Sequence, residues 1–249
     1  MTSAQPRARL PRLAIVGRGR LGNALAAALL DAGAEVLGPL ERGSDAAGAG
    51  AVLLCVPDSE IAAAAAVVSP GPPVGHCSGA TGLDALAPHE AFSLHPLMSV
   101  TARGASFRGA SAAVDGSTPR ALRLADELAI AVGMEPIRVR DDDRAAYHAA
   151  ASIASNFLVT LEAAAERLAG SVGVNRGALV PLVRATVENW AAVGPRQALT
   201  GPVARGDEAT IEAQRAAIVE RTPELTEVFD AMVELTRALA SAGSEAQPV

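Results

Sequence analysis

The strongest constraint in this chain is a six-residue run, Gly17-Arg18-Gly19-Arg20-Leu21-Gly22, set between a short apolar stretch and a long Ala/Leu-rich one. Leu13–Val16 is apolar throughout and short enough to be a strand buried on both faces. The stretch after Gly22 has helical length and stops near Gly33. A strand that feeds a helix through glycines at this spacing makes a turn suited to a pyrophosphate. Gly17 permits the tight turn, Gly19 lets the backbone approach a phosphate, and Gly22 lets helix and strand pack closely. The opening turn of the helix then offers unpaired N–H groups and the positive end of its dipole.

Further short apolar runs follow the same rhythm. Glu35 to Leu37 and Ala51 to Val56 read as strands, the latter ending at Pro57-Asp58. Pro73 to His76, Ala110 to Val114 and Pro136 to Val139 read as others, with a helix from Pro119 to about Val132. The rest of Pro70 to Leu97 is rich in Gly, Pro, Ser and His and reads as loops. The first ten residues read as a lead-in without structure. The pattern predicts an α/β class: a Rossmann-type, doubly wound, mainly parallel sheet. Character changes after Asp141-Asp142-Asp143, acidic residues that suit a helix N-terminus. Helices are predicted at about 143–169, 176–193, 208–221 and 223–241, the last with Thr222 as N-cap and Pro223 at N1. Gly and Pro keep Leu199 to Asp207 out of a helix, and Asp207 with Thr210 suits the cap of the next one. The domains are therefore read as 1–141, dinucleotide-binding, and 142–249, all-α. No internal repeat is visible.

Composition removes several classes of chemistry. Half the residues are apolar but 2% are aromatic, so the core must be built from Ala, Val and Leu. A net charge of −6 without a clustered basic face argues against nucleic acid. All 21 basic residues are arginine, which excludes Schiff bases, a phosphate-binding P-loop lysine and a lysine proton donor. Two cysteines are too few for a disulfide framework, and no signal peptide precedes the first apolar run. The stretch Ala145 to Leu161 is uncharged but carries His148, Ser152, Ser155, Asn156 and Thr160, unlike a membrane span. The chain reads as cytoplasmic, with no membrane partner.

Candidate site residues fall into four groups. Gly17, Gly19, Arg20, Leu21 and Gly22, with Val56 and Pro57 after the third strand, would hold the cofactor. Glu41 would favour NAD by binding a ribose hydroxyl. Arg42 and Ser44, assisted by Arg20, would instead hold a 2′-phosphate, and arginine–phosphate chemistry favours NADP. The segments His76-Cys77-Ser78-Gly79 and Ser93-Leu94-His95-Pro96 are expected at the carboxyl ends of strands, where Ser78 and His95 would meet substrate. A zinc site from His76, Cys77 and His95 matches no familiar spacing, and no metal is expected. His148, Ser152 and Asn156 lie four apart and would share one helix face, with His148 as proton donor; an interhelical hydrogen-bond network would explain them equally well. Thr200 and Arg205 would bind substrate, Arg205 by clamping a carboxylate.

These motifs, with Tyr147-His148-Ala149-Ala150-Ala151, Ala198-Leu199-Thr200-Gly201-Pro202 and Arg205-Gly206-Asp207, occur in one order along nearly the whole chain. They resemble the family that joins a Rossmann-like, NADP-binding domain to a C-terminal helical domain of unknown function. That family is part of the 6-phosphogluconate-dehydrogenase-like superfamily, with pyrroline-5-carboxylate reductases, ketopantoate reductases, 3-hydroxyisobutyrate dehydrogenases and deazaflavin-dependent NADP reductases. The resemblance implies a homodimer through the helical domain and a cleft between domains. Ketopantoate reductases and hydroxyacid dehydrogenases carry a catalytic lysine on the long helix; here the similar positions are His148 and Ser152, so that role does not transfer. The expected activity is hydride transfer between NADP and a small carboxylate-bearing oxo acid or imine, as in a ketopantoate-reductase-like reaction. The rival readings are a non-catalytic NADP(H)-sensing regulator and a scaffold dimer.

Overall fold

The computed structural model describes residues 10–102 and 104–242; all but Leu10 of the expected lead-in lies outside them. Seven strands form one sheet in the order β2-β1-β3-β4-β5-β6-β7. They are β1 Leu13–Val16, β2 Val36–Leu40, β3 Ala51–Leu54, β4 Val74–His76, β5 Ala91–Pro96, β6 Ser111–Gly116 and β7 Glu135–Arg138. The first five run parallel, β6 is antiparallel to β5, and β7 is parallel to β6. The expected mainly parallel, Rossmann-type sheet is present.

Helices α1 Arg20–Asp31, α2 Ile61–Val67 and α3 Pro119–Ala131 cover it. Every residue of β1, β3 and β4 is buried, which is why these strands read as unbroken apolar runs. Successive residues alternate between two cores. Leu13, Ile15 and Leu53 meet Leu25 and Leu29 of α1 and Leu124 and Leu128 of α3. Ala14, Val16, Val52 and Leu54 meet Ile61 and Ala65 of α2.

One strand differs from expectation. β5 falls in the stretch read as loops. Its residues Phe92, Ser93, Leu94 and His95 alternate apolar and polar, a strand period obscured by the surrounding Gly and Pro. The polar positions are used inside the fold: Ser93 is buried and accepts a hydrogen bond from Arg144.

The chain divides after Ser155 into two compact units. A 3₁₀ turn over Asp141–Asp143 leads into α4 Arg144–Ser152, which belongs to the first unit although it was expected to open the helical domain. The buried Arg144 explains why, because it ion-pairs with Asp115 at the carboxyl-terminal end of β6.

The second unit holds α5 Leu158–Gly170, α6 Arg176–Ala198, α7 Pro202–Arg205, α8 Glu208–Arg221 and α9 Thr226–Ser241. α6 runs past the expected end at 193, through a kink where Gly194 takes φ +78°. The segment Leu199 to Asp207, expected to stay out of a helix, contains the one-turn α7: Gly201 and Gly206 bound the turn, and Pro202 starts it. Asp207 caps α8 by accepting from the Thr210 amide at 3.1 Å. Thr222 stands at the N-cap position with Pro223 next, as expected, but of a 3₁₀ turn Pro223–Leu225 that precedes α9. Its hydroxyl makes no capping bond and is buried without a partner among the described residues. Among the described residues no helix is long and apolar enough to cross a membrane.

Candidate active site

The parallel strands β1 to β5 end along one edge of the sheet, and the order reverses between β1 and β3, where the chain leaves β1 for the two sides of the sheet. Such a switch point opens a crevice. A cleft of about 430 Å³ lies there, bounded by Gly17 to Leu21 after β1, Arg42 after β2, Cys55 to Asp58 after β3 and Cys77 after β4.

The fingerprint glycines have separate geometric jobs. Gly17 takes φ +116°, and a Cβ on it would lie 2.2 Å from the carbonyl oxygen of Cys55. A Cβ on Gly22 would lie 2.0 Å from the carbonyl oxygen of Gly17, so α1 packs directly on the turn. A Cβ on Gly19 would meet nothing within 4 Å, and no side chain caps the N-terminus of α1. Open space thus faces an uncapped helix end, which fits a pyrophosphate.

At the β2 end, Arg18 donates to Glu41 at 2.6 Å and Arg42 donates to Glu60 at 2.7 Å. Of the residues expected to hold cofactor, Gly17, Gly19, Arg20, Leu21, Arg42, Val56 and Pro57 line the cleft. Gly22 acts by packing. Ser44 is not among the lining residues, and its hydroxyl accepts from the Ala46 amide at 3.3 Å.

The expected histidine segments gather at the next strand ends. His76 is fully buried and both its nitrogens are engaged: Nδ1 accepts from the Ser78 amide, and Nε2 donates to the Gly82 carbonyl. Burial lowers its pKa. It therefore serves the loop. Ser78 is likewise committed, donating to Asp58 at 2.8 Å and accepting from the amides of Ala80 and Thr81. Its bond to Asp58 ties this loop to the wall of the cleft.

Gly79 lets two histidines approach: a Cβ there would lie 2.9 Å from the ring of His95 and 3.0 Å from that of His148. These rings sit edge to face with centroids 6.2 Å apart. Tyr147 bonds to Nδ1 of His95 at 2.8 Å. Desolvation, followed by the charge of His148, lowers the pKa of His95 to about 4, while burial raises that of Tyr147. Behind them Arg144 donates to Asp141, Ser93 and Asp115.

His148 and Ser152 share one face of α4 as expected. The four-residue repeat then breaks, because Ile153–Phe157 is a π turn and Asn156 falls inside it. Helix geometry no longer holds Asn156 on that stripe. Thr200 and Arg205 are exposed in the second unit. No group of three or more His, Cys, Asp or Glu able to hold a metal occurs among the described residues.

Sequence reasoning gave no role of their own to Arg18, Cys55, Asp58, Arg144 and Tyr147, and weighed Cys77 only as a zinc ligand. For Tyr147 a signal existed, since it is the chain's single tyrosine. For Arg144 none did, because a helix-start arginine normally reads as solvated.

Residues 110–236 match the model of DUF2520, a domain of unknown function. No curated protein sequence is significantly similar. The fold is shared with protein BF3122 of Bacteroides fragilis, a proposed NADP oxidoreductase: 17% identity over 92% of this chain and 98% of that one, TM-score 0.79. Protein TM1727 of Thermotoga maritima is similar at 24% identity over 92% and 99% of the two chains, TM-score 0.78. Pyrroline carboxylate reductase of Plasmodium falciparum, solved with NADP bound, is 12% identical over 94% of this chain and 99% of that one, TM-score 0.59.

Proposed function

The chain belongs to the DUF2520 family, whose name assigns no activity, and from the site itself we propose that it is an NADP-dependent oxidoreductase acting on a small carboxylate-bearing oxo acid or imine. The observation that carries this reading is the sequence of features along one sheet edge: a pyrophosphate cradle after β1, then a histidine–tyrosine cluster at the ends of β4 and β5. A bound dinucleotide would supply hydride at its nicotinamide ring. The N-terminal amides of α1 would hold its pyrophosphate. Arg42, with Arg18 and Arg20, would meet a 2′-phosphate, while Glu41 is engaged by Arg18, which favours NADP over NAD. The Plasmodium reductase of the same fold binds NADP.

At the far end of the crevice the pair His95 and His148 would deliver the proton that accompanies hydride addition. Ser152 and Asn156 are proposed to orient the substrate. Thr200 and Arg205 are proposed for its carboxylate on chemistry alone: Arg205 has no ion pair among the described residues. The decisive variant is Gly19→Asp, whose Cβ would meet nothing within 4 Å and whose carboxylate would set a negative charge where phosphates would sit. Fluorescence titration with NADPH is expected to show saturable binding by the natural chain and none by the variant, with unchanged thermal midpoints. Failure of the folded natural chain to bind NADPH would overturn the reading.

A homodimer is proposed on separate grounds. Neither α5 nor α6 buries a residue, and Val159, Leu182 and Trp190 are 69%, 65% and 58% exposed. In the described part of the second unit the buried apolar side chains are Ile211, Ile218 and Val233. So small a core does not offset chain entropy of ~1–2 kcal/mol per ordered residue. A second copy laid on α5 and α6 would supply the missing burial. Light scattering is expected to give twice 25.1 kDa, and Leu182→Glu with Trp190→Glu to lose that mass; a stable monomer of the natural chain would refute it.

A further inference from the structure

The bond between Tyr147 and His95 sets which nitrogen of His95 holds the proton. Tyr147 Oη lies 2.8 Å from Nδ1, and the two rings meet edge to face with centroids 5.5 Å apart. A phenol is a good O–H donor and an imidazole lone pair a good acceptor, so the proton of this bond sits on Tyr147. A neutral imidazole that accepts at Nδ1 carries its own proton on Nε2. With its pKa near 4, His95 is neutral at pH 7. Among the described residues no protein group pairs with that Nε2–H, which leaves a donor of defined tautomer open. His148 differs: it is exposed and forms no hydrogen bond among the described residues, so nothing orients its proton.

Topology gives this donor its position. The cleft runs from Arg42 beyond β2, across the ends of β1 and β3, to Cys77 after β4, and Val100 from the segment after β5 also lines it. β5 is the next strand of the same parallel set, and His95 is its penultimate residue. His95 therefore stands one strand beyond Cys77, on the side of the cleft away from the arginine that would take a 2′-phosphate.

We propose that Nε2–H of His95 is the proton donor to the carbonyl oxygen or imine nitrogen being reduced, and that Tyr147 is the positioning residue that sets the tautomer and resupplies the ring through Nδ1. The inference rests on the oxidoreductase reading above. A bound dihydronicotinamide would supply the hydride and its electron pair. As the π pair of the acceptor moves onto oxygen or nitrogen, His95 releases its Nε2 proton to that atom. The phenol proton of Tyr147 passes to Nδ1, so the imidazole stays neutral with its tautomer reversed. The tyrosinate left behind is disfavoured by burial, which the nearby Arg144 cation offsets only in part, so one solvent proton restores the phenol. The charged or titratable groups that face His95 are Tyr147, His148 and Arg144 from α4, His76 from β4 and Asp58 after β3.

Four histidines make the test tractable. Long-range proton–nitrogen correlation on the ¹⁵N-labelled full chain, assigned with His95→Gln and His148→Gln, is expected to show His95 neutral at pH 7 with its proton on Nε2. Tyr147→Phe should move its nitrogens to mixed-tautomer values. In the reduction of a panel of 2-oxo acids and cyclic imines, His95→Gln should lower kcat about 100-fold or more at unchanged NADPH affinity. Tyr147→Phe should lower it about tenfold and alter the pH profile, and His148→Gln should cost less than His95→Gln. A proton on Nδ1, a tautomer indifferent to Tyr147→Phe, or a larger loss in His148→Gln overturns the inference. NADPH titration of the same samples separates the two readings. Absence of NADPH binding by the natural chain overturns the oxidoreductase reading and the donor role with it, whereas NADPH binding with the proton on Nδ1 overturns the donor role alone.

Discussion

Gly22→Ala is expected to destabilise the chain by about 3 kcal/mol and to abolish NADPH binding. The expectation runs against the usual effect of the substitution. In a helix interior, alanine is preferred over glycine by roughly 1 kcal/mol, and α1 is already rich in alanine. Here the added Cβ would lie 2.0 Å from the carbonyl oxygen of Gly17 and 3.3 Å from Cβ of Cys55. The first of these is backbone and cannot rotate away, so α1 must lift from the end of β1. That movement opens the turn that would grip a pyrophosphate and loosens Leu25 and Leu29 from the core. For a chain of this size the thermal midpoint should fall by about 10 °C. A midpoint that rises, as propensity alone would dictate, would mean that helix and strand are not in contact at Gly22.

That reversal shows why the α/β half was legible. Positions 17, 19 and 22 require glycine for backbone reasons that hold wherever a strand turns tightly into a helix, so local spacing carries the information. The buried strands were equally plain, because β1 and β3 are apolar on both faces. β5 escaped since its meaning is not local. Ser93 and His95 are polar because Arg144 and Tyr147, some fifty residues later, turn back onto them. The same holds for the histidines. His76 and His95 look alike in sequence, yet one has both nitrogens engaged and the other keeps Nε2 open. The stripe His148, Ser152, Asn156 assumed an unbroken α-helix, and the π turn over Ile153–Phe157 leaves no mark that composition or periodicity reveals.

Arg144→Met is expected to be the most damaging single change in the first unit outside the glycine turn. Arg144 is 4% exposed and its guanidinium bonds three groups: Asp141 at 2.6 Å, Ser93 at 3.0 Å and Asp115 at 3.1 Å. Methionine fills much of the same volume, so the cost is electrostatic: two carboxylates lose their cation and Ser93 its donor. Removing one partner of a buried pair costs about 3–5 kcal/mol. Asp115 and Asp141 are 31% and 58% exposed and regain some hydration, which puts the expected loss near the lower end, at about 3 kcal/mol. Urea unfolding should read this as a lower midpoint with an unchanged slope. Adding Asp115→Asn should return part of the loss, because the stranded charge is then gone. The damage should also reach the site. Arg144 ties the start of α4 to β5, and that join sets Tyr147 against His95 two residues beyond Ser93. Histidine spectra of Arg144→Met should therefore show His95 without a fixed tautomer while His89, whose ring bonds to the Ala65 carbonyl on another part of the unit, is unmoved. A variant that unfolds at the natural urea midpoint would mean that the guanidinium is solvated and α4 is held by other contacts. A variant destabilised as expected but with His95 unchanged would separate the structural role of the ion pair from the positioning of the proton donor.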